Sequence, residues 1–260
     1  VLTKGPILKP KILVITPVQH ISGVVSTLEN FGDVHYIDDP SPSEVMAIIG
    51  EYEAVFTNPN KSNVFISKEL IDAGLKLKAI CTASTGTNHI DMAYAASQNL
   101  PVISITEARE VINKISSTAE HTLALMLSLI RHIPNSFHSV KDGNWDWSPY
   151  VGRQMNSLTI GIIGYGRLGK MMETYCHAFG MTVKIHDPYE GYDDLDLVLR
   201  ESDVISLHVH VTDKTVGMIN GNTIKRMKKK PYLINTSRGE IVNEKKVIEA
   251  IENGKLSGYA

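Results

Sequence analysis

A chain of 260 residues, 43% apolar and 21% charged, carries enough apolar material for a full core and suits one large or two modest domains. Its formal net charge of -2 argues against nucleic acid or an anionic membrane as partner, since both leave a basic imbalance. No apolar run approaches the roughly 20 residues of a membrane span and the amino end has no apolar signal core, so a cytoplasmic protein is expected.

Short apolar runs alternate with longer amphipathic stretches along the whole chain, the pattern of βαβ units and mostly parallel sheets. Strands are predicted at residues 11–16, 33–37, 54–58, 77–82 and 101–105, with helices between them. Gly32 and Gly74 are placed as left-handed caps closing two of those helices. Residues 1–108 thus read as a small doubly wound domain. Residues 117–134 predict one helix, apolar along Ala119, Leu123, Met126, Ile130 and Ile133 and again along Leu125, Leu127 and Leu129, so it must be covered on two sides. Ser117 with Glu120 forms a capping box at its start and Pro134 marks its end. A connector between domains or a dimer-forming helix fits this pattern.

Residues 141–157 hold turn formers, Trp145 and Trp147 without a sustained period, and read as an arm that packs on another surface, a partner subunit included. The alternation then resumes, with strands at 158–163, 181–186, 203–209 and 231–236, which makes a second doubly wound sheet within residues 109–260. Cys81 and Cys176 belong to no Cys-x-x-Cys pair and read as small buried residues, and the histidine spacing gives no metal set.

The run LTIGIIGYGRLGK places Gly164, Gly166 and Gly169 in Gly-x-Gly-x-x-Gly spacing, directly after an apolar strand and at the opening of a helix that ends at Gly180. In that context Gly164 permits the tight turn, Gly166 lets the backbone approach a pyrophosphate, and Gly169 allows close helix-to-strand approach, with the phosphates on the amide-rich helix end formed by Arg167, Leu168 and Gly169. Asp187 follows at about the 20-residue spacing of the ribose-binding acid. A carboxylate there repels a 2'-phosphate, so the expected cofactor is NAD in preference to NADP. The Arg167 side chain reads equally as a pyrophosphate contact or as a solvated arginine.

Arg238 lies just past the strand PYLINT, on a turn eased by Gly239. Open α/β sheets bind ligands at the carboxyl ends of their strands, and a guanidinium fork suits the carboxylate and neighbouring oxygen of a 2-oxo or 2-hydroxy acid. The competing reading is a surface ion pair with Glu240 or Glu244.

Five ordered stretches, STGTNHID, AEHTLALML, GIIGYGRLG, SDVISLHV and LINTSRGEIVNE with AIENGKLSGYA, resemble the D-isomer-specific 2-hydroxyacid dehydrogenases, a family that includes phosphoglycerate, glycerate and D-lactate dehydrogenases. The resemblance implies an α/β protein of two doubly wound parallel-sheet domains, a flavodoxin-like substrate domain and a Rossmann NAD-binding domain. It implies an oxidoreductase that interconverts a D-2-hydroxy acid and its 2-oxo acid with NAD, as a homodimer. Arg238 would bind and polarise the substrate, and backbone amides around Thr85 and Gly86 would hold its carboxylate. Asn235, Thr236 and Ser237 would line the nicotinamide side, with His208 and Thr212 near the cofactor; for His208 and His210 a strand-end role satisfied locally stays equally open.

Ser84 stands where the family loop usually has glycine, and His210 with Val211 replaces a proline-containing pair. The family's nicotinamide aspartate, glutamate and proton-transferring histidine all follow the GKLSGYA segment, so a longer parent chain is expected to carry them. An alternative of a different class is a catalytically silent NAD-binding or NAD-sensing protein. Lys61, in TNPNKSN, suits a phosphate or second carboxylate, which would make 3-phosphoglycerate a candidate substrate, or it is a solvated loop lysine.

Overall fold

The computed structural model describes residues 9–59 and 63–260, so Lys61 lies outside the described residues. The chain divides into two compact units, Val1–Lys114 and Ile115–Ala260. The division falls a few residues beyond the break expected after residue 108.

The first unit contains β1 (Lys11–Val14), α1 (Val24–Phe31), β2 (Asp33–Tyr36), α2 (Pro42–Ile48), β3 (Ala54–Thr57), α3 (Lys68–Ala73), β4 (Ala79–Thr82), α4 (Met92–Ser97), β5 (Val102–Ser104) and α5 (Arg109–Ile112). The sheet is all parallel in the order β2-β1-β3-β4-β5. Leu13, Val55 and Ile80 lie side by side across its middle and are fully buried, together with Ile15, Val45, Ile49 and Ile66. Helix starts are chemically marked: Ser41, Ser67 and Asp91 each accept a first-turn amide, and Ser41 with Glu44 completes a capping box around Pro42.

The two expected glycine caps are not left-handed. Gly32 has φ -157° and Gly74 has φ -77°. Gly32 is needed for space instead, because a Cβ there would lie 2.5 Å from the Pro10 carbonyl oxygen and 2.6 Å from the Ile12 side chain. At Gly74 the nearest atom to such a Cβ would be the Leu77 Cβ, at 3.1 Å.

The second unit contains α6 (Ser117–Ile130), α7 (Ile133–Lys141), β6 (Thr159–Ile163), α8 (Arg167–Ala178), β7 (Thr182–His186), α9 (Leu195–Glu201), β8 (Val204–Leu207), α10 (Gly221–Arg226), β9 (Tyr232–Asn235), α11 (Glu244–Glu252) and β10 (Gly258–Tyr259). Its sheet is also all parallel, in the order β10-β9-β8-β6-β7. The strand order reverses between β6 and β8, which makes that crevice the topological switch point. Buried strands of this kind read as continuous apolar runs, as in β8, where all four residues are buried.

The single helix expected over 117–134 is two. The chain breaks at Arg131 and at His132, which takes a left-handed φ of 53°, and Pro134 sits in the first turn of α7 instead of ending α6. The expected capping box of Ser117 with Glu120 does not form: Ser116 is the N-cap of α6, and its hydroxyl bonds the Glu120 carboxylate instead of a backbone amide. The buried stripe of α6 is Ala119, Thr122, Met126 and Ile130, while the four leucines are partly covered. Cys176 is fully buried as expected, but Cys81 is only half-buried. Among the described residues no helix is long and apolar enough to cross a membrane.

Candidate functional site

The register of the second sheet places four residues in a line. His186, Ile163, Leu207 and Asn235 are paired across β7, β6, β8 and β9. The residues that follow them, Asp187, Gly164, His208 and Thr236, therefore leave the sheet from one row at its carboxyl edge. Neighbouring strands lie about 4.8 Å apart, so the row spans roughly 14 Å.

At the middle of the row the glycines have distinct physical reasons. Gly164 has φ +95°, and a Cβ on it would lie 2.6 Å from the His208 carbonyl carbon and oxygen, so glycine is required twice over. Gly169, inside α8, would bring a Cβ within 2.2 Å of the Gly164 oxygen, so it sets how closely the helix can approach the loop. Gly166 is the N-cap of α8, and among the described residues it has no side-chain cap and nothing would lie within 4 Å of an added Cβ. The open side of the loop thus faces free first-turn amides, which suit a pyrophosphate. A cradle that excludes side chains on its inner side and leaves the helix end clear fits a dinucleotide.

At one end of the row, Asp187 accepts the Tyr165 amide at 2.7 Å and the Tyr189 amide at 2.8 Å. Burial alone would raise its carboxyl, but the amides of Tyr165, Tyr189 and Glu190 outweigh that and hold it below the ordinary carboxylate range. Asp187 is thus ionised, with lone pairs left for ribose hydroxyls. The Tyr165 amide joins the glycine loop to Asp187, a link that no residue spacing could reveal. The Arg167 guanidinium is half-buried and donates to the Ile115 carbonyl, so one of its donors is committed within its own unit. Leu168 packs its side chain against the core, which leaves its backbone amide for the site.

His208 shares a 2.8 Å hydrogen bond between its Nε2 and the buried Ser206 hydroxyl, and burial pushes its imidazole down to about 4. It is therefore neutral near pH 7. Beyond it, His210 is exposed and contributes its carbonyl, which accepts the Thr215 hydroxyl. Thr215 also receives the Thr212 amide at 2.8 Å, so Thr212 is held in a compact turn.

At the other end of the row, Asn235 clamps the turn that carries Arg238. Its Oδ1 accepts the Ser237 amide and hydroxyl, and its Nδ2 donates to the Arg238 carbonyl at 2.8 Å. Arg238 is half-buried and donates from Nη1 to the Ser237 carbonyl at 2.8 Å. Among the described residues it makes no ion pair, with Glu240 or Glu244 or any other carboxylate, so most of its donor fork is uncommitted. Thr236 faces the other way: its hydroxyl meets that of Thr122 on α6 at 2.7 Å. Sequence reasoning overlooked Thr122, although a threonine on the buried face of an apolar helix was a visible signal.

In the first unit, Thr85 and Gly86 lie on the loop after β4. The Gly86 amide donates to the Ser84 hydroxyl at 3.1 Å, so the serine that replaces the usual glycine occupies that donor. His89 is 7% exposed, and burial lowers its imidazole; among the described residues neither of its ring nitrogens has a hydrogen-bond partner, nor do the buried hydroxyls of Thr57 and Thr82 at the strand ends.

The switch-point row, the glycine cradle and the strand-end acid define a dinucleotide-binding α/β protein. Comparison with known proteins agrees. Residues 123–260 match the family model described as D-isomer specific 2-hydroxyacid dehydrogenase, NAD binding domain, and the chain belongs to that family. It is similar to D-3-phosphoglycerate dehydrogenase of Synechocystis sp., 31% identical over 260 residues that cover 96% of this chain and 45% of that protein. Glycerate dehydrogenase of Methylorubrum extorquens is 34% identical over 226 residues, 84% of this chain and 69% of the relative. The crystal structure of D-lactate dehydrogenase from Aquifex aeolicus, complexed with NAD and lactic acid, superposes with a TM-score of 0.81 at 31% identity, covering 96% of this chain and 75% of that one. The chain thus spans under half the length of the phosphoglycerate dehydrogenase it matches. NAD is the cofactor of this family's binding domain.

Proposed function

We propose that this chain belongs to an NAD-dependent dehydrogenase that interconverts a D-2-hydroxy acid and its 2-oxo acid. The observation that carries the reading is the row Asp187, Gly164, His208, Thr236, with an uncommitted arginine, Arg238, two residues past its end. The order along the row matches the order of groups in NAD, from adenosine ribose through pyrophosphate to nicotinamide. Asp187 binds the ribose and disfavours a 2'-phosphate, and the amides of Arg167, Leu168 and Gly169 hold the pyrophosphate. Thr236 and Ser237 border the nicotinamide, with His208 and Thr212 beside the cofactor. The bound cofactor supplies or takes the hydride.

Arg238 holds the substrate carboxylate through two of its donors and stabilises the negative charge that grows on the carbonyl oxygen during reduction. The loop of Thr85 and Gly86 offers amide donors for a carboxylate, once Gly86 exchanges its bond to Ser84 for a charge-assisted one. Lys61 is assigned to the substrate's distal group, which makes 3-phosphoglycerate the first substrate to test. The exposed Trp145 and Trp147 support a homodimer, and two free cysteines accord with the cytoplasm. The silent NAD-binding alternative has no support among these relatives, all of which carry dehydrogenase names.

The test is turnover of a panel of 2-oxo acids with NADH, in the full-length protein and in Arg238→Ala. The variant is expected to lose about a hundredfold or more in kcat/KM, with NADH affinity nearly unchanged. Unaltered turnover would remove Arg238 from the mechanism.

A further inference from the structure

The turn that presents Arg238 is bonded mostly to itself. The side chains of Asn235, Ser237 and Arg238 all close on atoms between residues 235 and 238. Thr236 is the exception: its hydroxyl leaves the turn and reaches Thr122 on α6, 114 positions away in sequence, at 2.7 Å. Thr122 is fully buried, on a helix face whose other members, Ala119, Met126 and Ile130, are apolar.

Counting protons gives this contact a direction. Thr122 has one hydroxyl proton, and its oxygen also lies 2.7 Å from the Thr118 carbonyl oxygen, a group that can only accept. Two acceptors do not approach so closely without a proton between them, so the Thr122 proton is committed to Thr118. The Thr122 oxygen must then accept, and the Thr236 hydroxyl must donate. The chain runs one way, from Thr236 through Thr122 to the helix backbone. It fixes the Thr236 rotamer and ties the turn to a helix whose buried face is packed into the core.

We infer that Thr122 is a positioning residue for the substrate-binding arginine: its hydroxyl anchors Thr236 and so fixes the turn from which Arg238 reaches a 2-oxo acid. The inference rests on the reading of Arg238 as the substrate arginine. With valine at position 122 the helix face keeps its shape, but Thr236 loses its acceptor. The half-buried hydroxyl must then seek another partner, and the peptide that leads to Arg238 shifts with it. A guanidinium displaced by a fraction of an ångström loses the alignment of a two-pronged hydrogen bond before it loses its charge.

The test uses the full-length, NADH-loaded protein and oxamate, an unreactive analogue that carries a carboxylate beside a carbonyl. Calorimetric affinity and the thermal midpoint are measured for the parent, Thr122→Val, Thr122→Ser, Thr236→Val and the double valine variant, with Arg238→Ala as the control on the underlying reading. Thr122→Val is expected to weaken oxamate about fivefold, the equivalent of one ordinary hydrogen bond, and NADH by less, since the glycine loop and Asp187 that hold its other half do not touch Thr122. Thr122→Ser should restore it, and the double variant should be no weaker than either single one. Normal oxamate affinity in Thr122→Val would overturn the inference, as would an equal loss in Thr122→Ser, which would mean that the threonine acts through its methyl group. Strictly additive losses would do the same. If Arg238→Ala binds oxamate as the parent does, the substrate reading of Arg238 itself fails, and the inference falls with it.

Discussion

At His208 the imidazole is held against Ser206, and burial keeps it neutral down to about pH 4, against an ordinary value of 6.5. The unfolded chain takes up that proton as pH falls through 6.5, whereas the folded chain does so only near 4, so between these values the unfolded state binds more protons. The contribution to stability is therefore fully present above pH 6.5 and is lost as pH falls towards 4. It amounts to about 3 kcal/mol at most. His89, also buried and pushed down, acts in the same direction. Urea unfolding of the parent should thus show a lower midpoint at about pH 5 than at about pH 7, and His208→Gln, which can still bond Ser206, should lose less. Equal losses in the two proteins would place the pH dependence elsewhere. In functional terms, a neutral ring in the row proposed to bind the cofactor adds no charge there at working pH, so NADH affinity should not follow this titration.

The unit of strand, glycine turn and helix from β6 to α8 was legible in the sequence because each of its demands removes a side chain, and the absence of a side chain shows in the letters. Gly164 and Gly166 differ in kind, as their positions in the motif suggest, and the structure gives the physical size of that difference. Gly164→Ala meets both a left-handed φ of +95° and a 2.6 Å clash with the backbone of His208, so roughly 1–3 kcal/mol of stability should be lost along with the cofactor. Gly166→Ala has φ -73° and an open neighbourhood, so the thermal midpoint should hold while NADH binding weakens, because the new methyl intrudes only where the pyrophosphate is proposed to lie. Thermal melts paired with NADH fluorescence titrations check both; a Gly166→Ala protein that binds NADH normally would move the phosphates away from this helix end. Other elements were legible only in part. The break between α6 and α7 was hidden because the apolar period runs through it, and Pro134, taken as a stop, is equally at home in a first turn. Gly32 was misread because a glycine that admits a close neighbour and one that turns left-handed are the same letter. The hydroxyl pair of Thr122 and Thr236 depends on strand register and helix rotation together, which composition does not encode.

Taken whole, each unit is a parallel sheet with its own core, and the row proposed to bind the cofactor belongs to the second unit alone. That unit also carries apolar surface that its own core leaves uncovered. Trp145 is 91% exposed, Trp147 77%, Phe137 63% and Val140 55%, all within α7 and the segment that follows it. Scattered apolar side chains on a surface need no cause, but Val140, Trp145 and Trp147 line one hollow and are together a candidate for burial in an interface. Arg131, Asp146 and Arg153 also line that hollow and give it the polar groups that such an interface has alongside its apolar ones. The row from Asp187 to Thr236 draws on none of these residues, so assembly and cofactor binding should be separable. Sedimentation of the parent protein should therefore show a dimer, and the double change Trp145→Ser, Trp147→Ser should give a folded monomer with NADH affinity intact, since aromatic anchors contribute most of the binding energy at interfaces of this kind. A parent protein that sediments as a monomer, or a double variant that remains a dimer, would show that this arm does not join two copies of the chain.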